Sequence, residues 1–414
     1  MSQNQMPPIQ NHPRIFIVGA KRTPIGSFLG QLAHCTPAQL GTTAVKAAIS
    51  ASTLPQEMVD EVIIGHVLSA GAGQGVARQI ALHAGCRENS IASSVNMVCG
   101  SGLKAVMNGW LSLQMGMNDA VVAGGVEAMS QAPFLLPAMR SGNKLGHTTA
   151  CDSIINDGLT DAFEQIHMGI TAEKVAAKYH ISRQMQDTFA LASQKKAIQA
   201  QDAGYFNDEI VPIEAKIGRN IEYVMADEYI NRQTSQEKLA ALRPVFQKDG
   251  TVTAGNASGI NDGASATVLV HEQMLEQLAI PPLVEIVAMS QVGVAPQLMG
   301  MGPVPAILSI LEKTGLTLSD IGTFELNEAF AAQSVAVIQQ LAQKADMEEA
   351  DLLKRVNPYG GAIALGHPLG ASGNRILVTL IHRMKREHLK YGIASLCVGG
   401  GMGIAILVRN CENI

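Results

Sequence analysis

The chain of 414 residues is apolar-rich (47% hydrophobic), poor in charge (16%) and aromatics (4%), and carries 40 Gly and 19 Met. That length exceeds one simple core, so two or three domains or subdomains are expected, packed as a dense α/β protein. A formal net charge of −5 and a pI near 6.1, with Lys and Arg scattered, exclude a nucleic-acid surface, and no apolar run approaches the roughly 18 residues that span a bilayer.

The polar segment from Met1 to His12 contains Pro7 and Pro8 but neither an apolar h-region nor an arginine-rich amphipathic face, so neither a secretory signal nor a mitochondrial presequence is read there. A first strand is predicted at Arg14 to Val18, then a turn from Gly19 to Pro24. A helix follows from Thr36 to Ser50, with Thr36 as its cap and Pro37 in its first turn. Val59 to Val67 reads as a strand. The glycine-rich stretch Ser69 to Gly75 lacks the Gly-Lys-Ser/Thr ending of a phosphate loop and is expected to be a close-packing turn before a helix from Val76 to His83.

A β-like run ending Ser93-Ser94-Val95 leads into Asn96-Met97-Val98-Cys99-Gly100-Ser101-Gly102. Beyond it, Leu103, Val106, Trp110, Leu113 and Met117 recur at helical spacing. Cys99 is thus expected on a turn at the mouth of a helix, where free N–H groups and the helix dipole favour an anion and ease loss of the thiol proton. An isolated cysteine is more often core packing, so its context must decide. Ala120 to Gly125 reads as a buried strand ending in glycines. From Ala128 to Gly255 the texture changes to Met, Pro and charged helical stretches at Ala172 to Tyr179 and Arg183 to Ala203, the mark of an insertion carrying substrate contacts.

Strand character resumes at Ala264 to His271. A second α/β region then runs from Pro282 onward. It has helices at Pro305 to Gly315, Glu328 to Gln343 and Asn374 to Leu389, strands at Ile321 to Leu326 and Gly392 to Leu396, and a glycine-rich turn at Gly360 to Gly373. Each half has a reactive residue before a short Gly-Ser-Gly or Gly-Ala-Ser-Gly turn into a helix, followed by a strand ending in glycines, which reads as an internal duplication. The alternation of strands and helices predicts a parallel or mixed sheet covered on both faces.

Three stretches of the second half answer the Cys99 turn. His367, between Gly366 and Pro368, is held as a rigid imidazole suited to activating a thiol. Cys397 precedes the run Gly399-Gly400-Gly401, whose exposed amides suit a close ligand or an oxyanion hole, while two nearby thiols also admit a redox pair. Asn327, where a strand meets a helix, is either an N-cap or an amide placed to hold a water or carbonyl. The six cysteines, at 35, 86, 99, 151, 397 and 411, form no C-x-x-C pair, and the eleven histidines are dispersed. Free thiols, no metal site and a cytoplasmic setting are expected. The terminal Cys411-Glu412-Asn413-Ile414 lacks the aliphatic pair of a prenylation box.

Together, Asn96 to Gly102, Asn327-Glu328-Ala329-Phe330, Gly366-His367-Pro368 and Cys397-Val398-Gly399-Gly400-Gly401, in this order, resemble the thiolase family over nearly the whole chain. Val98 to Lys104 and His167 to Glu173 are most similar to its short-chain acetyl-CoA acetyltransferases. The resemblance implies two similar α/β halves, residues 1–128 with 256–281 and residues 282–414, and an inserted loop domain, 129–255, that binds coenzyme A. It implies a homotetramer, or in some members a homodimer, that uses acetyl-CoA, acetoacetyl-CoA and CoA as substrates and needs no cofactor, nucleic acid or membrane.

The roles it implies are Cys99 as acyl carrier, His367 as its activator, Cys397 as carbon base, Asn327 as holder of a water, and the amides of Cys99 and Gly399 as oxyanion donors. Leu159, Met168, Met299 and Phe330 are implied to line a small acyl site, and His167, Ala254, Ser258 and Ala329 to follow the pantetheine arm. Asn231 and Lys238 depart from the family pattern around the nucleotide, where Arg232 is a candidate contact. Residues 344–354 read as an exposed loop. The competing readings are a longer-chain 3-ketoacyl-CoA thiolase, a β-ketoacyl synthase, a non-catalytic acyl-CoA-binding homologue and a thiol redox sensor. Cys397 argues against the synthase, and the joint presence of Cys99, His367 and Cys397 against the non-catalytic protein.

Overall fold

A computed structural model describes residues 13–413; the polar segment 1–12, in which no signal was read, and Ile414, the last residue of the terminal tetrapeptide, lie outside the described residues. The first half opens with strands β1 (Ile15–Arg22) and β2 (Gly26–Ser27) and helix α1 (Pro37–Ser52). Thr36 caps α1 as expected, in a capping box with Gln39 that satisfies an otherwise free amide at each end of the motif. There follow β3 (Glu61–Gly65), α2 (Val76–His83), β4 (Ile91–Val95), α3 (Ser101–Gln114) and β5 (Ala120–Ala128).

The next stretch adds nothing to the main sheet. It holds two small hairpins, β6 (Phe134–Leu135) with β7 (Cys151–Asp152) and β8 (Ile213–Ile217) with β9 (Asn220–Val224), around helices α4 (Met168–Lys178), α5 (Arg183–Asp202) and α6 (Gln236–Ala240). Strand β10 (Asn261–His271) and helix α7 (Glu272–Leu278) return to the core. The second half runs β11 (Val284–Gly293), α8 (Pro303–Thr314), β12 (Thr323–Leu326), α9 (Ala331–Lys344), α10 (Glu349–Arg355), α11 (Ala362–Leu365), α12 (Leu369–Arg386), β13 (Tyr391–Val398) and β14 (Met402–Asn410).

The duplication is visible in the strand order. β4, β3 and β5 run parallel, then β10 and β1 follow antiparallel; in the second half β12 and β13 are parallel, with β14 and β11 antiparallel beyond them. An isolated parallel bridge from Phe324 to Val356 stands where the first half has β4. The two halves do not keep separate sheets: β1 pairs with β11 at Phe16–Glu285 and Ile17–Val284, making one ten-stranded mixed sheet.

Strand alternation sorts the side chains into layers. In β5, Val122 and Val126 pack with α1 and α2, whereas Val121 and Ala123 face the other way onto α3 and α12. In β14, Ile404, Ile406 and Val408 join that same central layer, and Ala405 and Leu407 face α8 and α9. The sheet is therefore wrapped around α3 and α12, the two helices that follow the reactive turns. They meet closely at Gly102 and Gly373, where a Cβ on either would collide with the other's backbone.

Four sequence expectations need correction. β11 and β14 were not foreseen as strands, and α12 starts at Leu369, so part of the expected glycine-rich turn is its first turn. Residues 344–354 are exposed as expected but only in part a loop: α10 begins at Glu349 and buries Leu352 against α9. Ser69 to Gly75 is an exposed turn and not a close-packing one. Among the described residues, no helix is long and apolar enough to cross a membrane.

A buried ionic cluster ties the intervening stretch to β1. Arg22 Nε donates to Glu209 at 2.6 Å, and its two terminal nitrogens donate to Asp227 at 2.7 and 2.9 Å, with all three side chains sealed from solvent. Arg22→Met is expected to destabilise the fold by about 3–5 kcal/mol, because it strands two buried carboxylates. Urea unfolding followed by circular dichroism measures this; a loss under about 1 kcal/mol would mean that solvent reaches the cluster.

Candidate active site

Cys99 sits on a turn that is held from several sides. Val98 adopts φ 46°, a left-handed conformation costly for a β-branched residue, on the order of 1–3 kcal/mol. Asn96 Oδ1 accepts from Val98 N at 2.9 Å. Ser101 Oγ accepts from Met97 N at 2.8 Å and donates to Val98 O at 2.6 Å. Asn96 and Ser101 thereby force the turn that presents the thiol ahead of α3.

The His367 backbone N–H donates to Asn261 Oδ1 at 2.9 Å, and Asn261 in turn donates to Gly26 O at 3.0 Å. Its Nδ1 lies 2.6 Å from Ser372 Oγ, which gives its single proton to Pro368 O at 2.9 Å. The hydroxyl can then only accept from the ring, so Nδ1 carries the imidazole proton and Nε2 keeps its lone pair. Nε2 faces Asn327 Nδ2 at 3.4 Å, and Asn327 Oδ1 is buried with no protein partner. Asn327 is not an N-cap, since α9 begins at Ala331. It is set by its neighbours: Asn327 N donates to Ser395 O, and Asn357 clasps Leu326 through both backbone groups at 2.8 and 2.7 Å.

Cys397, at the end of β13, is buried among Met168, Met299, Ala329 and Phe330. The glycines after it form the tight β13–β14 hairpin, with Gly400 and Gly401 at φ 81° and 84°. Gly399 lines the same cavity as Cys99, and its amide acts to favour the Cys99 thiolate.

These groups meet around a cavity of about 320 Å³. Cys99, His367, Cys397 and Gly399 all line it, as do the eight side chains from Leu159 to Phe330 that the family resemblance assigns to the acyl and pantetheine sites; Asn327 stands behind His367. The intervening stretch supplies much of the wall. His167 Nδ1 caps α4 by accepting from Gly169 N at 3.0 Å, and its ring stacks on Phe246 with centroids 4.6 Å apart. Phe246, Tyr229 and Ile155 also line the cavity and were missed in sequence, because they lie where no periodic pattern marks an element.

The electrostatics overturn one expectation. Cys99 is not acidic: burial pushes its thiol up to about 11, outweighing the amides of Gly399 and Cys99 itself, with the charge of Glu127 pushing the same way. Burial likewise drives the Cys397 thiol well above its usual range, helped by Cys99, and lowers the His367 imidazole to about 3, with Arg375 pushing in the same direction. The resting pair is thus a neutral thiol and a neutral imidazole. Chemically, the site offers a soft nucleophile, a base with a free lone pair, a second thiol and amide donors in a mostly apolar cavity.

A second cavity of about 360 Å³ shares Tyr229 and Ala254 with the first and is lined further out by Asn231, Thr234 and Lys238. Arg232 stands exposed beside the chain's α5, paired with Asp202 at 2.6 and 3.1 Å and with Gln201 at 2.8 Å.

Two family models match this chain: "Thiolase, N-terminal domain" over residues 15–273 and "Thiolase, C-terminal domain" over residues 280–410. An acetyl-CoA acetyltransferase of Chromobacterium violaceum is 49% identical over 396 residues, covering 95% of this chain and 99% of that relative. The crystal structure of human mitochondrial 3-ketoacyl-CoA thiolase in complex with CoA aligns with a TM-score of 0.90 at 43% identity, covering 96% of this chain and 98% of that one. An acetyl-CoA acetyltransferase structure from Syntrophomonas wolfei aligns with a TM-score of 0.94 at 38% identity, covering 97% and 100% of the two chains.

Proposed function

The chain belongs to the thiolase family and is an acyltransferase, and from that premise we propose that it condenses two acetyl-CoA into acetoacetyl-CoA and CoA, reversibly, through an acetyl group carried on Cys99. The observation that supports this most is the meeting of Cys99, His367 and Cys397 around one small apolar cavity.

In the first half-reaction His367 Nε2 takes the thiol proton as the Cys99 sulfur attacks the thioester carbonyl. Developing charge on the carbonyl oxygen is met by the amides of Cys99 and Gly399, each such donor being worth roughly 3 kcal/mol in comparable sites, while a water held by Asn327 and His367 serves the second acyl oxygen. Collapse breaks the C–S bond to CoA, whose thiolate takes the proton of Cys397 and leaves as CoA. In the second half-reaction the Cys397 thiolate removes a methyl proton from a second acetyl-CoA, and the carbanion attacks the acetyl-enzyme. Cys99 leaves as thiolate and recovers its proton from His367. Thiolysis is the same path reversed.

CoA thioesters are the partners this reading requires. The pantetheine arm runs past His167, Ala254, Ser258 and Ala329, and the nucleotide extends toward Asn231 and Lys238, the cation at the adjoining cavity. A homotetramer acting in the cytoplasm without a cofactor belongs to the same reading and rests on the family resemblance.

Leu159, Met168, Met299 and Phe330 close the cavity beside the thiols, which favours a short acyl chain. Likeness to a 3-ketoacyl-CoA thiolase carries the second reading, broader chain length. Thiolysis of 3-ketoacyl-CoAs of increasing length separates them. Acetoacetyl-CoA is expected to be cleaved best, with kcat/KM falling roughly tenfold or more for each added pair of methylenes. A flat profile would establish the longer-chain enzyme.

A further inference from the structure

Glu127, near the end of β5, is sealed from solvent and takes no part in the steps above. Among the described residues no Lys or Arg pairs with it. Its charge is met by three backbone amides instead: Oε2 accepts from Val67 N at 3.1 Å and Gly370 N at 2.9 Å, and Oε1 from Leu68 N at 3.0 Å, with His66 Nε2 at 3.4 Å. These donors come from both halves. Gly370 lies in the first turn of α12, three residues beyond His367 and two before Ser372, the hydroxyl that orients the ring. Val67 and Leu68 pack with Met129, Ile154 and Leu369 against Cys99 and Leu159. One carboxylate thus spans the wall behind the nucleophile and the turn that carries its base.

We propose that Glu127 is a positioning residue, which fixes the first turn of α12 on the first half and so holds the His367 imidazole in register with Cys99. This rests on the acyl-transfer reading given above. A carboxylate is needed because three N–H groups converge on two oxygens; a carboxamide has one acceptor, and its NH₂ would oppose at least one of them. Burial raises the Glu127 carboxyl to about 7 against the pull of the amides, with Asp262 adding to the rise. Its charge in turn disfavours the Cys99 thiolate. The titratable groups facing this region are His66, Asp262 and Cys99.

The test compares the full-length wild type with Glu127→Gln. Acetylation of Cys99 by acetyl-CoA is followed by mass spectrometry, and steady-state condensation by acetoacetyl-CoA formation. The variant is expected to lose on the order of tenfold to a hundredfold in kcat with KM changed by less than about twofold, the pattern of a misplaced base with an intact pocket. Iodoacetamide should meanwhile alkylate its Cys99 with a midpoint at lower pH than in the wild type, since a negative charge beside the sulfur is gone. An unchanged kcat, a KM effect alone, or an alkylation midpoint that does not move would overturn the proposal.

If Glu127→Gln fails to fold, Glu127→Asp, which keeps the charge but shortens its reach, must show the same loss of kcat. Full activity in it, or failure of both variants to fold, also overturns a positioning role. Absence of Cys99 acetylation in the wild type would instead refute the acyl-transfer reading, so the two failures are told apart.

Discussion

Cys99→Ala is expected to bind acetyl-CoA yet incorporate no acetyl group, and condensation should fall by about four orders of magnitude or more, since the proposed acyl carrier is gone and the remaining thiol, Cys397, is still more strongly disfavoured from ionising. In the wild type, one acetyl per chain should appear on the Cys99 peptide, with ping-pong kinetics. The pH dependence follows from the thiol at about 11 and the imidazole at about 3. Between these values both groups are neutral, so across roughly pH 6 to 9 acylation should be level, because His367 takes the proton only as the new bond forms. Alkylation by iodoacetamide needs a preformed thiolate and should climb with pH through the same window without a plateau. A plateau below about pH 8 would mean a resting thiolate–imidazolium pair and sink this account, and acetyl found on another cysteine would reassign the carrier.

That outcome also marks what could be read along the chain. The Cys99 turn was legible because its determinants are local: Asn96 and Ser101 bond within four residues of themselves, and the helix periodicity starts at Leu103. The cap of α1 was legible for the same reason. The acidity of Cys99 was not legible because the helix mouth is local but the burial that overrides it comes from distant parts of the chain, the cluster of Val67, Leu68, Met129, Ile154 and Leu369 against which Cys99 packs, and the Cys397 strand. β11 carries no clear strand signal because Val284 to Gly293 lacks clean alternation, one face meeting the core only in part, and β14 follows directly on glycines that signal a turn. Phe246 and Tyr229 had no pattern to announce them. Glu127 lies 243 residues from the amide of Gly370 that it holds, a pairing no spacing rule can supply.

Cys397→Ala separates the two half-reactions. It should still release CoA and acetylate Cys99, more slowly for want of the proton that Cys397 gives the leaving thiolate, because the nucleophile, its base and the oxyanion amides remain, but form acetoacetyl-CoA at least about a thousandfold more slowly for want of a carbon base. The measurement is one burst of free thiol per chain without turnover, alongside an acetylated Cys99 peptide; condensation at the normal rate would place the base elsewhere. A thiol so strongly disfavoured from ionising is matched to this task. As a thiolate it is a strong base, which a weak carbon acid requires, and burial denies it that form in the resting enzyme. The proton it needs to lose leaves with the first CoA. On the proposed mechanism the base comes into being only once Cys99 is acylated, so no carbanion is made before there is an acetyl group for it to attack.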